Sequence, residues 1–290
     1  MAMKNMHSIH RRGAGHWVGD GFPVHSIFSY RNPTTPLTPF LLLDHAGPAE
    51  FEPSPKPRGV DWHPHRGFET VSIAYEGEVD HEDTAGNRGT IRAGDVQWMT
   101  AGAGILHKEM HGRDYSARGG RFEMLQLWVN LPAASKMTAP RYQTLLARDI
   151  PVINLPENAG TVRVIAGEYS GQNGPAQTFT PIRLLDVQLR AGQRVSLNLQ
   201  DGYTGALYIL KGSIKLNHAD SANETELVVL ERSGNDIVIE AQSDSTIFVM
   251  NGQPIDEPVV GHGPFVMNTQ EQIAQALVDL EQGRFGAIPH

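Results

Sequence analysis

Thr70-Val71-Ser72-Ile73-Ala74-Tyr75, running into Glu76-Gly77-Glu78-Val79, is the stretch whose reading decides the fold. A short run rich in β-branched and aromatic residues stops at a glycine turn signal. The same plan returns 135 residues later, where Ala206 to Leu210 leads into Lys211-Gly212-Ser213-Ile214. Ser233-Gly234-Asn235-Asp236-Ile237 likewise echoes Ala93-Gly94-Asp95-Val96. Two glycine-punctuated matches at nearly half the chain length point to a duplicated β domain. The expected division is residues 1–135 and 136–290, with the proline-bearing stretch Leu131 to Pro140 as linker.

The flanking sequence agrees. Phe40 to Leu43 is an apolar run followed by Asp44 and a Gly47-Pro48 turn signal. Thr90-Ile91-Arg92, Phe122 to Val129 and Ile182 to Leu189 read as further strands. Short strands at this spacing predict an all-β chain of two tandem antiparallel sandwiches or barrels. The C-terminus departs from that plan. Thr269 with Gln272 forms a capping-box pattern, Ile273, Leu277 and Leu280 follow at helical spacing, and Gly283 can end the helix. A core-docking α-helix is expected there, with no functional role.

Composition excludes several classes. The chain has 290 residues, 40% hydrophobic and 19% charged, with 30 Gly and 19 Pro, which rules out disorder, a coiled coil and a collagen-like fibre. It has no cysteine, so disulfides, Fe–S clusters, thiolate zinc sites and cysteine nucleophiles are removed together. A formal charge of −8 argues against direct nucleic-acid binding, which draws on Lys and Arg; His10-Arg11-Arg12 is read as a solvated tail. No apolar run approaches the ~18 residues of a membrane span. Met1 to Gly15 is too polar for a signal peptide. The expectation is a cytoplasmic monomer that does not enter membranes.

The chemistry concentrates in His63-Pro64-His65 and in His107-Lys108-Glu109. Residues i and i+2 of a strand project from one face, whereas on a helix they would splay about 200° apart. Side by side, facing side chains of the two segments are ~5 Å apart at Cβ, close enough to meet one ion at roughly 2.0–2.2 Å. Pro64 then belongs at a strand start, an edge or a bulge. A lone His-x-His is more often a surface or core feature than a ligand pair; the second pair is what raises it to a site. Three imidazoles and a carboxylate suit Fe(II), Mn, Co, Ni, Cu or Zn without choosing among them. Four protein donors leave an octahedral ion two open positions, whereas zinc tends to saturate at four. His111 shares the parity of His107 and competes as a ligand, less favourably because it adjoins the polar Gly112-Arg113-Asp114 loop. Glu69 is read as a supporting or structural carboxylate. Most of the nine other histidines are expected at the surface. Trp98, Met99, Phe122, Met124 and Trp128 are candidates for an apolar pocket, with core packing the commoner role for any one of them.

These residues resemble the cupin superfamily. Gly59 to Gly77 looks like its first motif and Gly94 to His107 like its second. The chain more specifically resembles the pirin family, in His63-Pro64-His65-Arg66-Gly67-Phe68-Glu69-Thr70-Val71, in Gly94 to Gly102, in Gly104 to Met110, in Leu125 to Leu131 and in His262 to Thr269. The resemblance implies a bicupin whose N-terminal domain holds one divalent metal, Fe(II) foremost, through His63, His65, His107 and Glu109. It implies a C-terminal domain without metal, where Ser196-Leu197-Asn198-Leu199-Gln200 stands in place of a paired histidine motif. It also implies two activities. One is quercetin 2,3-dioxygenase chemistry on a flavonol and dioxygen, with Glu109 as catalytic base. The other is iron-dependent binding of a transcription factor or metabolic enzyme as protein partner.

Overall fold

The computed structural model describes residues 2–31 and 37–289. Strands dominate, and they assemble into two compact units. One comprises Gly13–Pro36, Phe40–Ala147 and Ile255–His290; the other Met1–Arg12, Leu37–Pro39 and Arg148–Pro254. Each has the same build among the described residues: a seven-stranded antiparallel sheet and a four-stranded one. The expected duplication is therefore visible as architecture.

In the first unit the large sheet runs, in spatial order, Arg141–Leu145, Val96–Thr100, Phe68–Glu76, Gly120–Asn130, Phe40–Phe51, Phe22–Ser29 and Gly15–Val18. The small sheet runs Gly59–His65, Ile105–His111, Glu78–Asp83 and Arg88–Arg92. Phe22, Val24, Ala46, Val79, Ile91 and Phe122 are among the side chains that fill a core in this unit. In the second unit Val187, Leu197, Ile209, Ile239, Ile247 and their neighbours form a larger, wholly aliphatic core.

The units differ from a division at residue 135 at both ends of the chain, at Leu37–Pro39 and around the boundary itself. Strand Met6–Arg11 pairs with Glu226–Leu230, so the N-terminus belongs to the second unit. Residues from Ile255 onward belong to the first, because Phe265, Met267, Ile273, Ala276 and Phe285 bury one another there. The proline-bearing stretch read as a linker lies inside the first unit. Lys136 is buried in it, and its Nζ donates to Gly67 O, Asn130 Oδ1 and Val266 O at 2.7–2.9 Å.

Two local readings change as well. Gly47-Pro48 is no turn: the strand runs on from Phe40 to Phe51, and the register shifts there against Phe122 and Met124. Gly47 has φ +93°, and a Cβ on it would collide with the Phe122 carbonyl, so this bulge requires glycine. The helix forms as Gln270–Glu281 with the Thr269–Gln272 capping box in place. Its buried face, however, is Ile273, Ala276 and Asp279, while Leu277 is exposed. Asp279 takes the inward position because Arg66 meets it at 2.8 Å.

Candidate metal centre

Strand Gly59–His65 is the edge of the four-stranded sheet, which is where a strand tolerates Pro64. It pairs antiparallel with Ile105–His111, placing His63 directly opposite His107. Along Ile105–His111 the odd positions are buried and the even ones half-exposed, so His107 and Glu109 share the inner face. The register shifts after this pair: Glu109 stands opposite Val60, and Asp61-Trp62 bulge out against Lys108. Lys108 covers that bulge, its Nζ 4.9 Å from the Trp62 ring centre.

The three imidazoles converge. Ring centres lie 4.3 Å apart for His63–His107 and 4.9 Å for both other pairs. One nitrogen from each lies within 4.8 Å of those of the other two. His63 uses Nδ1 against the Asp61 carbonyl at 2.8 Å, which leaves Nε2 for the cluster and fixes the ring. Nδ1 of His65 and both nitrogens of His107 are buried without a hydrogen-bond partner. Buried polar atoms left so are costly. Burial, reinforced by the neighbouring imidazoles, holds His65 and His107 well below the ordinary histidine range, so both are neutral and carry a free lone pair. Neutral, convergent, unsatisfied imidazoles are what a divalent transition ion binds. The residues present fit such an ion.

Glu109 is 4% exposed and lines the same cavity as His63 and His65. Its carboxylate accepts from Ser72 Oγ at 3.2 Å and from Gln126 Nε2 at 3.2 Å. It stands outside the three-nitrogen group itself. His111 is engaged elsewhere: Nε2 donates to Gly21 O at 2.8 Å and the ring stacks on Phe122. Glu69 accepts from Thr100 Oγ1 at 2.6 Å, and burial pushes its carboxyl up to about 7. Of the nine other histidines, His45 and His81 are buried, the rest of the described ones are exposed or half-exposed, and His290 lies outside the described residues. His45 is held by Glu123 and His81 stacks on Tyr142.

The support for the His63–His65 pair comes from the C-terminal segment. Arg66 N donates to Pro264 O and Val266 N to Arg66 O. The Arg66 guanidinium reaches Asp279 on the helix and Ala103 O, and sits over the Phe285 ring. The helix therefore anchors the residue next to His65, a role the sequence did not disclose. His65 itself is wedged edge-on against Phe68 and Trp128.

A cavity of about 270 Å³ opens onto His63 and His65. That is just below the ~300–1,000 Å³ usual for ligand pockets. Val24, Val60, Met124 and Trp128 are among its apolar walls; Asp44, Glu109 and Gln126 are its polar ones besides the histidines. Of the five residues proposed for a pocket, Met124 and Trp128 line it. Trp98, Met99 and Phe122 are fully buried core. Asp44 and Gln126 went unnoticed, because a polar residue in a strand carries no sign of which cavity it faces.

Family comparisons agree with this geometry. The Pirin family model matches residues 21–129, and the Pirin C-terminal cupin domain matches 184–286. A Pseudomonas aeruginosa protein provisionally named quercetin 2,3-dioxygenase is 50% identical over 98% of this chain and 99% of its own. Human pirin is 40% identical over 86% of this chain and 83% of its own. A crystal structure titled as quercetin 2,3-dioxygenase from Acinetobacter baumannii superposes with a TM-score of 0.96 at 48% identity, covering 99% of this chain and all of that one.

Proposed function

The chain belongs to the pirin family, and on that premise we propose that it is a metal-dependent dioxygenase of the quercetin 2,3-dioxygenase type. It opens the heterocycle of a flavonol with dioxygen and releases carbon monoxide. The observation that carries this reading is the group of three convergent histidines, two of which line an apolar cavity that also holds a carboxylate. The names of relatives at 48–50% identity support it.

His63, His65 and His107 would hold the ion, with Glu109 as the fourth donor. Fe(II) is the first choice, with Mn, Co, Ni, Cu and Zn as the ions to compare. The ion supplies a Lewis acid that lowers the pKa of a substrate hydroxyl and a redox partner for dioxygen. The rest falls to the protein. Glu109 takes the proton from the flavonol hydroxyl as general base. To act as base Glu109 would have to let go of the ion, while Ser72 and Gln126 keep its carboxylate in place by hydrogen bonds. The apolar walls bind the flat ring system and exclude water from the reacting face.

The test is oxygen uptake by the purified protein with quercetin, each metal supplied in turn and metal content assayed alongside. Metal-dependent uptake with carbon monoxide release, lost in His63→Ala, is expected. A filled site without uptake would overturn the dioxygenase reading and turn attention to protein binding.

A further inference from the structure

A polar row crosses the cavity-facing side of the large sheet. Ser72 stands opposite Gln126, Gln126 opposite Asp44, and Asp44 opposite Ser26, on four adjacent strands in register. The neighbours of this row that line the cavity are apolar: Val24, Ala46, Met124 and Trp128. One end of the row serves Glu109, through Ser72 and Gln126. The other end is a second carboxylate, Asp44. It lies two strand spacings from Ser72, ~9–10 Å. Among the described residues its side-chain hydrogen bond is the one from Ser26 Oγ, at 2.6 Å.

A carboxylate in an apolar wall is costly unless hydrogen-bonded, and an ionised one accepts more than a single bond. Asp44 makes no contact with the histidines or with Glu109 that would give it a part in the base's work. What it offers is unused acceptor capacity, displaced along the cavity from the donors that face the ion. Burial also raises its carboxyl above the ordinary range, against the opposing effects of Ser26 and His16. A hydroxyl donor arriving with the ligand would relieve that desolvation.

We propose that Asp44 is a specificity-determining residue that accepts a hydrogen bond from a ligand hydroxyl remote from the chelating oxygens. The cavity thereby selects polyhydroxylated aromatic ligands over the same scaffold without the remote hydroxyls. This rests on the flavonol reading of the site. A site built to bond a hydroxyl rejects the analogue that lacks it, because its own polar group is then left unpaired.

The experiment is an anaerobic fluorescence titration of the metal-loaded protein, so that binding is read without turnover. The probes are quercetin and 3-hydroxyflavone, which keeps the chelating hydroxyl and carbonyl and lacks the other hydroxyls. The wild-type protein is expected to bind quercetin about tenfold or more tightly than 3-hydroxyflavone. Asp44→Leu should weaken quercetin by about tenfold and leave 3-hydroxyflavone within about twofold. Asp44→Asn keeps the volume and one acceptor, so it should lose part of the preference; it carries the test alone if the leucine variant does not fold. Equal changes for both probes, or no change for either, would overturn the role of Asp44 while leaving the flavonol reading intact. Failure of the wild-type protein to bind either probe would reject that reading and the assignment of Asp44 together.

Discussion

His63 and His107 face each other across an antiparallel strand pair, with ring centres 4.3 Å apart. A shared ion would account for two imidazoles this close together when His107 is buried with both nitrogens unsatisfied. Replacing either by Ala is therefore expected to abolish stoichiometric metal binding. Elemental analysis after dialysis against each ion reads this directly; full occupancy in both variants would sink the ligand set.

Glu109→Gln keeps the hydrogen-bonding shape of the side chain and removes its basicity. Metal is expected to be retained in part. The turnover rate should fall by roughly 10²-fold or more, the usual worth of a positioned base. Steady-state kinetics normalised to metal content tests this, and unchanged turnover would remove the base role.

Glu69 gives the fold a pH dependence of known sign. Its folded value of about 7, against an ordinary 4.5, means that the unfolded chain ionises first as pH rises. The stabilisation is complete below about pH 4.5 and is lost through about pH 7, by on the order of 3 kcal/mol. Glu69→Gln cannot ionise. It should match the wild type near pH 4.5 and exceed its stability at pH 8. Urea unfolding at the two pH values decides; an equal gap at both would show that Glu69 is not the titrating group.

Gly67 follows the His63–His65 pair and has φ +88°. A Cβ there would meet the Val266 carbonyl oxygen, which is part of the segment that bonds to Arg66. Gly67→Ala should cost about 2 kcal/mol or more through strain alone. It should also weaken metal binding, because the turn that aims His65 has to move. Thermal melts with and without metal check both effects. A full metal complement at wild-type stability would show the turn to be adaptable.

The alternation of His63 with His65, and of His107 with Glu109, was legible because strand parity is a local property. The glycine-punctuated echoes at an offset of 135 residues were legible for the same reason, and so was the Thr269–Gln272 capping box. Leu277 was misread because apolar character marks a candidate face, whereas the face actually buried was chosen by the Arg66–Asp279 pair. Gly47-Pro48 was misread because a bulge and a turn use the same residues, and only the partner strand distinguishes them.

By itself, then, the sequence determined an all-β duplicated chain and the strand parity that sets His63 with His65 and His107 with Glu109. Only the tertiary structure decided that His63 stands opposite His107, that Ser72, Gln126, Asp44 and Ser26 form one row, and that Met6–Arg11 and Gln270–Glu281 each serve the unit remote from them in sequence. The physical reason is range. A two-residue period is set by the backbone of one strand, but register is set by hydrogen bonds and packing between segments far apart in the chain.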